Sequence, residues 1–282
     1  MQGVIVKAIS GFYYVRADNT VYECKARGVF KNKGITPLVG DKVEFEEGLV
    51  TKVLPRINAF ERPPVANVDT LVIVMAGKDP SPSFEILDKF IVTAESLKTN
   101  IVLCINKCDI AEEEILEKFK DIYQNIYPIF FVSANTGDGI EDLKKYLFGK
   151  QFALAGPSGV GKSSLSNIFL EDTKAEVGEI SKKSLRGKNT TRHTELFLAN
   201  GYEFFDTPGF TSFDAKLDDE EELPKLFPEF EKHLGACRFD DCRHINEPDC
   251  SIRKAVEEGN ISQSRYDSYK SLYNVILENR RY

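Results

Sequence analysis

Apolar and polar residues alternate with a short period over the first sixty positions. Turn-forming residues such as Asp18 and Asn19 separate the alternating runs. The runs are GVIVKAI (3–9), FYYVRA (12–17), VYECKA (21–26), DKVEFEE (41–47) and LVTKVL (49–54). No helical period of useful length occurs among them. The pattern therefore predicts a small all-β module, most simply a five-stranded barrel.

A different rhythm begins after the segment ERPPVANVD (61–69), which is predicted to be a linker because its paired prolines disfavour helix and central strand. Apolar runs then alternate with helical periods. The runs TLVIVMA (70–76), NIVLCIN (100–106), YPIFFVSA (127–134) and QFALAG (151–156) precede helices predicted over about 83–98, 112–124, 138–147 and from about 162. Strands that are apolar on both faces and alternate with helices indicate a parallel sheet covered on both sides.

The last third of the chain departs from this alternation. Residues 193–199 and 201–206 predict a hairpin, and no strand is predicted beyond Gly209. An acidic run, a Cys/His cluster and a helical tail follow. The predicted fold class is multidomain α/β, with a barrel over residues 1–62, an α/β domain over 63–212 and a helical Cys/His domain over 213–282.

Composition narrows the class of protein. With 42% hydrophobic and 29% charged residues, the chain is typical of a soluble globular protein. Its apolar runs are too short to span a bilayer. The first residues lack the features of a secretory signal, so we expect a cytoplasmic location, where six cysteines argue against disulfides. The net charge is −7, but residues 1–56 are basic on balance.

The octapeptide GPSGVGKS lies between an apolar strand and a helix, the context of a phosphate-binding loop. It comprises Gly156, Pro157, Ser158, Gly159, Val160, Gly161, Lys162 and Ser163, and Ser164 follows. Lys162 would reach the β- and γ-phosphates and assist catalysis, and the Ser163 hydroxyl would ligate Mg²⁺. A glycine-rich turn that opens a helix is the structural alternative. Alone, the loop indicates only a nucleoside triphosphate, because ATPases and small-molecule kinases also carry it.

Guanine is indicated by INKCD, which ends an apolar strand. The segment contains Asn106, Lys107, Cys108 and Asp109. The carboxylate of Asp109 can accept hydrogen bonds from two guanine donors that adenine lacks, while Asn106 can tie the loop to neighbouring segments. The next strand ends in Ser133, Ala134 and Asn135, and the Ala134 N–H is placed to donate to the guanine carbonyl.

Switch-like segments follow the phosphate loop. DTPG (206–209) offers Asp206 for the Mg²⁺ shell and the Gly209 N–H for the γ-phosphate. GKNTTRHT (187–194) offers Thr190 or Thr191 as the switch threonine, and Thr191 would ligate Mg²⁺ and take part in catalysis. The order is base, base, phosphate, switch, switch. A cyclic shift of the order found in translation-factor GTPases explains it.

A compact cluster of four metal-ligand residues lies near the C-terminus. Cys237, Cys242, His244 and Cys250 follow the spacing C-x4-C-x-H-x5-C. Three thiolates and one imidazole complete a tetrahedral shell, which predicts a structural Zn²⁺.

The barrel, the permuted motifs and this cluster together resemble the bacterial family of circularly permuted GTPases called ribosome small subunit-dependent GTPase A. The resemblance covers essentially the whole chain. It implies an OB-fold barrel, GTP or GDP with Mg²⁺ as ligands, and weak GTP hydrolysis stimulated by the 30S subunit during late maturation of that subunit. It also implies 16S rRNA as a partner, which the basic bias of residues 1–56 fits, and we expect a monomer.

The first switch departs from the family pattern. Members usually carry Gly-x-His-Thr-Thr-Thr, and that histidine is held to be catalytic because an apolar residue, here Phe210, follows Asp-x-x-Gly. This chain has Asn189 at the corresponding position, and His193 lies four residues on. Either residue is a candidate for the catalytic role. The surrounding basic loop (181–192) is either simply solvated or becomes ordered on RNA.

Two other functions remain open from the sequence. An ATP-dependent small-molecule kinase would share the phosphate loop but would not need NKCD. A zinc-dependent RNA-binding protein with a regulatory, hydrolysis-deficient GTP site is the non-enzymatic alternative. The intact Lys162, Ser163 and Asp206 argue against it.

Overall fold

The computed structural model describes residues 1–26, 30, 34–176, 194–199, 201–207, 210 and 219–279, with the backbone alone for 171–176 and 199. Within these residues the strands form one eleven-stranded sheet and one two-stranded hairpin. None of the helices in the described ranges is both long enough and apolar enough to cross a membrane.

Five strands of the first module close into a barrel. They are β1 (Gln2–Ile9), β2 (Phe12–Ala17), β3 (Thr20–Ala26), β4 (Lys42–Glu46) and β5 (Leu49–Val53). Strands β1 to β3 form an antiparallel meander, β3 pairs in parallel with β5, and β4 pairs with both β5 and β1. Ile5, Val15, Val43 and Val50 are fully buried inside. The predicted five-stranded barrel is confirmed.

A short hairpin occupies part of the segment predicted as a linker. It consists of β6 (Ala59–Glu61) and β7 (Pro64–Ala66), with Pro63 in the turn. Phe60 and Val65 are buried, and Val65 forms a bridge with Val39 near the barrel. The hairpin is not predicted from the sequence because each strand has only three residues, too few to show a period.

The predicted alternation of strands and helices is confirmed in the α/β domain. It runs β8 (Thr70–Ala76), α1 (Phe84–Ser96), β9 (Asn100–Asn106), α2 (Glu113–Tyr123), β10 (Ile129–Phe131), α3 (Ile140–Leu147), β11 (Gln151–Ala155), α4 (Lys162–Glu176), β12 (Glu195–Ala199) and β13 (Tyr202–Asp206). The sheet order is β10-β9-β8-β11-β13-β12, and β12 alone is antiparallel to its neighbour there. Every residue of β8 is buried, as expected for a strand covered on both faces.

The sheet does not stop at β12. Strand β1 of the barrel pairs antiparallel with β12, with Lys7 opposite Glu195. The barrel and the α/β domain therefore share one hydrogen-bonded sheet. The sequence does not predict this pairing, because alternation within a strand carries no information about which edge it meets.

The C-terminal module packs on α1. It contains two 3-10 helices (Leu223–Leu226 and Pro228–His233), α5 (Ser251–Glu257) and α6 (Gln263–Asn279). Its buried core includes Leu223, Phe227, Phe230, Tyr269 and Ile276, together with Val92 from α1. The helical tail predicted from residue 251 is confirmed, and this small core is completed by a residue from the neighbouring domain.

Candidate functional site

The phosphate loop joins β11 to α4 and passes very close to two other strands. Gly156 has a φ of +139°, and a Cβ there would lie 2.1 Å from the Val74 carbonyl oxygen. Gly161 has a φ of +99°, and its Cβ would lie 2.1 Å from Asn106 Nδ2. Glycine is required at both positions because a side chain would separate the loop from these neighbours.

Lys162 lies within the curve of this loop at the start of α4. Its Nζ donates to the carbonyl oxygens of Gly156 (2.7 Å) and Pro157 (2.6 Å). Burial lowers the pKa of Lys162 to about 8. Ser158 and Ser163 are exposed beside it. The loop therefore presents a lysine and a hydroxyl at one opening, an arrangement suited to an anionic phosphate with a bound cation.

Asn106 connects the phosphate loop to the base-recognition loops. It is nearly fully buried, and its Nδ2 donates to the Val160 carbonyl at 2.8 Å. Its Oδ1 accepts from the Ala134 N–H at 3.0 Å. The N–H that the sequence analysis assigned to the guanine carbonyl is thus donated to Asn106 in this structure. Segments widely separated along the chain meet through this one amide.

Lys107 and Cys108 are held by backbone groups. The Lys107 ammonium donates to the Asp79 carbonyl, and Pro80 lies beside Gly159 of the phosphate loop. Cys108 donates from Sγ to the Ile105 carbonyl at 3.0 Å, and burial raises its pKa to about 11. A loop that the sequence analysis missed, around Asp79 and Pro80, therefore borders the site.

Polar groups at the mouth of the site remain accessible. Asp109 and Asn135 are exposed, whereas Ser133 is fully buried and accepts at Oγ from the Thr136 N–H at 3.1 Å. Ser133 thereby shapes its turn, and Asp109 presents its carboxylate outward. This division is suited to recognition of a base with two adjacent donors.

The switch side of the site is described in part. Asp206 ends β13, which pairs in parallel with β11, the strand before the phosphate loop. Phe210 is fully buried, and its carbonyl accepts from the Gly156 N–H at 2.9 Å. Asn189, Thr190, Thr191, His193 and Gly209 lie outside the described residues.

The predicted metal ligands converge in the C-terminal module. The ligand atoms of Cys237, Cys242, His244 and Cys250 all lie within 4.8 Å of one another. The Sγ atoms of Cys237 and Cys250 are 4.0 Å apart, and His244 Nδ1 lies 3.5 and 3.4 Å from them. Zinc–sulfur bonds of about 2.3 Å in a tetrahedron place sulfurs about 3.8 Å apart. The four side chains therefore fit a Zn²⁺ ion.

Neighbouring groups hold the turn that carries His244. Glu247 accepts from three backbone N–H groups, those of Arg243, Ile245 and Asn246, at 2.9 to 3.0 Å. Burial opposes its charge, but these donors prevail and lower the pKa of Glu247. The Tyr266 hydroxyl donates to the His244 carbonyl at 2.8 Å. Burial lowers the pKa of His244, which favours the neutral imidazole that binds metals.

Comparison with known proteins places this geometry in a family. A family model described as RsgA GTPase matches residues 53–216, and one described as RsgA N-terminal domain matches residues 2–51. The chain belongs to the RsgA GTPase family. Among its relatives, the small ribosomal subunit biogenesis GTPase RsgA of Caldanaerobacter subterraneus is 45% identical, over 100% of this chain and 98% of the relative. The protein of that name from Clostridium acetobutylicum is 43% identical over the full length of both chains.

Two solved structures are similar to this chain over nearly its whole length. YjeQ from Thermotoga maritima has a TM-score of 0.84 and 37% identity and covers 98% of each chain. YloQ, described as a circularly permuted GTPase, has a TM-score of 0.82 and 35% identity, over 99% of this chain and 95% of that one. The predicted fold class, the permutation and the GTPase identity are confirmed.

Several residues around the site of this RsgA family member are not identifiable from the sequence. Asp79, Pro80, Glu247 and Tyr266 lie in no motif; Pro80 lies beside Gly159, and each of the other three makes a hydrogen bond in which one partner is a backbone group. A backbone contact can be made by many residue types. The signal that marks a motif, a restricted residue type at a fixed spacing, is therefore absent for these residues.

Proposed function

We propose that the chain binds GTP with Mg²⁺, hydrolyses it to GDP and phosphate, and acts in maturation of the small ribosomal subunit with the 30S subunit and its 16S rRNA as partners. The observation that carries this proposal is the position of Asn106, whose amide connects the phosphate loop to the loop at Ala134. That connection supports a single guanine-nucleotide site built from the permuted motifs.

In this proposal each side of the site has a distinct task. Asp109 accepts hydrogen bonds from the base, and the stem of Lys107 covers its face. The loop from Gly156 to Ser164 surrounds the phosphates, and Lys162 neutralises charge that develops on them. Ser163, Thr191 and Asp206 would hold Mg²⁺, which supplies positive charge at the phosphates when bound.

The attacking water needs an orienting group from the first switch. Thr190 or Thr191 would be the switch threonine, and the Gly209 N–H would contact the γ-phosphate. His193 or Asn189 would orient the water. Asn189 has an amide that can hydrogen-bond but cannot take up a proton at neutral pH. We therefore expect slow hydrolysis without the 30S subunit.

The other modules serve binding and stability. The barrel would contact rRNA, and a structural Zn²⁺ at Cys237, Cys242, His244 and Cys250 would stabilise a module whose own core is small. The proposal includes a monomeric, cytoplasmic protein.

Hydrolysis of GTP measured with and without purified 30S subunits tests the proposal. The wild type should be stimulated by 30S subunits, and Lys162→Ala should abolish hydrolysis under both conditions. An excess of GTP, but not of ATP, should displace a labelled guanine nucleotide. If the wild type binds GTP and RNA but its GTP hydrolysis is not stimulated by 30S subunits, the result would instead support an RNA-binding protein with a hydrolysis-deficient GTP site.

A further inference from the structure

Two cations of the barrel are ion-paired with the hairpin formed by β12 and β13. The Nζ atom of Lys7 in β1 lies 2.7 Å from the Oε2 atom of Glu195, which is the first residue of β12. Arg16 in β2 is ion-paired with Glu203 in β13. The basic bias of the barrel, which the sequence analysis attributed to an RNA-binding surface, is therefore partly used in a contact between domains.

Both pairs are partly sheltered from solvent. The exposed fractions are 32% and 31% for Lys7 and Glu195, and 19% and 28% for Arg16 and Glu203. Ion pairs at such positions are screened less than fully exposed pairs. Glu203 also accepts from Gln151 Nε2 at 3.0 Å. Gln151 begins β11, so this chain of contacts runs from the barrel to the strand that leads into the phosphate loop.

Phe210 lies four residues after the end of β13 and is contacted from the linker. Phe60 in β6 packs edge-on against Phe210, with ring centroids 5.3 Å apart and an interplanar angle of 85°. Phe210 is fully buried, and its carbonyl accepts from the Gly156 N–H. The barrel turn at Gly40 is close enough to β13 that a Cβ would lie 2.9 Å from the Phe205 ring.

We propose that Lys7, Arg16 and Phe60 are positioning residues for GTP hydrolysis. The proposal rests on the proposed function. The β12–β13 hairpin ends at Asp206, and the Phe210 carbonyl accepts from Gly156 of the phosphate loop, so these contacts fix groups that the proposed function places at the phosphates and Mg²⁺. Small displacements of such groups cost large factors in rate. Contacts made by Lys7, Arg16 and Phe60 thereby act on the rate of hydrolysis.

Charge reversal and charge exchange test this role. The variants are Lys7→Glu, Glu195→Lys and the double variant that exchanges the two charges. For each variant we would measure kcat and KM for GTP at saturating 30S subunits, together with GDP affinity and melting temperature. Each single variant should lower the stimulated kcat about fivefold or more, the scale of ordinary coupling between sites. KM and GDP affinity should stay within about twofold. The double exchange should restore kcat. Phe60→Leu should lower kcat in the same selective way.

Lys52→Glu is the matched control. Lys52 pairs with Glu44 of the same barrel, 3.7 Å away and on its exposed surface, so the substitution changes the barrel charge equally without touching the hairpin. It should leave kcat unchanged. The inference would be overturned if the single variants kept the wild-type kcat. It would also be overturned if Lys52→Glu lowered kcat equally and the double exchange failed to restore it. If wild type itself lacks stimulated hydrolysis, the proposed function fails and this inference fails with it.

Discussion

Asn106 bonds two segments that lie 54 and 28 residues away along the chain. The sequence identifies it, because NKCD after an apolar strand is a restricted pattern, and its role in tying loops together is expected from that pattern. The N–H group that donates to its Oδ1 is not expected from the pattern. The Ala134 N–H, assigned to the base from the sequence, is donated to Asn106 here. Motif residues can be predicted more readily than the particular atoms they pair with, because one amide offers both a donor and an acceptor.

Asp109→Asn should change which base the site prefers. The exposed carboxylate offers two acceptors, which suit the ring N–H and amino group of guanine. An amide offers a donor in place of one acceptor, which suits the second carbonyl of xanthine. We expect the affinity for GTP to fall at least about tenfold and the affinity for xanthosine triphosphate to rise. Competition binding measures both affinities. Cys108→Ser is the control and should retain the guanine preference, since the Cys108 thiol donates to the Ile105 carbonyl and a hydroxyl can donate there too.

Nucleotide affinity should fall as pH rises through the pKa of Lys162. In the free protein burial lowers this pKa to about 8, so the ammonium loses its proton just above neutrality. Phosphates favour the charged form and raise the pKa, so binding takes up a proton and weakens progressively as the pH rises above about 8. Titration with labelled GDP measures this. Lys162→Met should bind weakly with a flat profile over the same range, and a flat wild-type profile would contradict the assignment.

At the scale of elements, the sequence predicts the α/β domain and the barrel strands well. Most of those strands are five or more residues long, and some, such as β8, are almost entirely apolar. The shorter β10 belongs to a clear repeat of strand and helix. The hairpin of β6 and β7 and the pairing of β1 with β12 are not predictable in this way. Both depend on where a short or edge strand comes to lie in three dimensions, which local pattern does not record.

The support of the proposed zinc site can be tested at Glu247, which holds the turn around His244 but is not one of the four predicted ligands. Glu247→Ala removes the acceptor of three backbone N–H groups and should weaken Zn²⁺ binding about 10–100-fold, the usual effect of supporting groups. Competition with a chromophoric chelator measures it. Glu257→Ala, at an exposed position of α5, is the control and should bind zinc like wild type. Equal affinity in both variants would remove Glu247 from the support of the site.

At the scale of the whole molecule, a buried ionic cluster joins the C-terminal module to the α/β domain. Arg265 is fully buried in α6 and donates to Asp88 of α1 at 2.6 Å and to Glu229 at 2.6 and 3.2 Å. The Tyr123 hydroxyl also donates to Asp88, at 2.8 Å. Burial opposes the charge of Arg265, yet the two carboxylates outweigh burial and hold its pKa well above the ordinary value. The sequence gives no sign of this cluster, because an arginine in a polar helix is normally exposed.

Arg265→Ala should destabilise the protein by about 3–5 kcal/mol, because it leaves Asp88 buried without its cation. Urea unfolding followed by circular dichroism measures the loss. Lys270→Ala is the matched control on the same helix, since its pair with Asp267 is largely exposed and should contribute less than about 1 kcal/mol. Similar losses in both variants would show that the buried cluster stabilises the fold no more than an exposed ion pair does.

The permuted order of the strands has a consequence for synthesis on the ribosome. Strands β8, β9 and β10 are neighbours in the sheet and leave the ribosome one after another, so this half-sheet has local partners from the start. Strand β11, which pairs with the open side of β8, follows later, and Asp206 follows later still. The newly made chain thus displays the edge that we propose binds guanine before it has any phosphate loop. On the proposed function, Asp206 completes the nucleotide site only when nearly three-quarters of the protein has been made, and full stabilisation by a nucleotide waits until then.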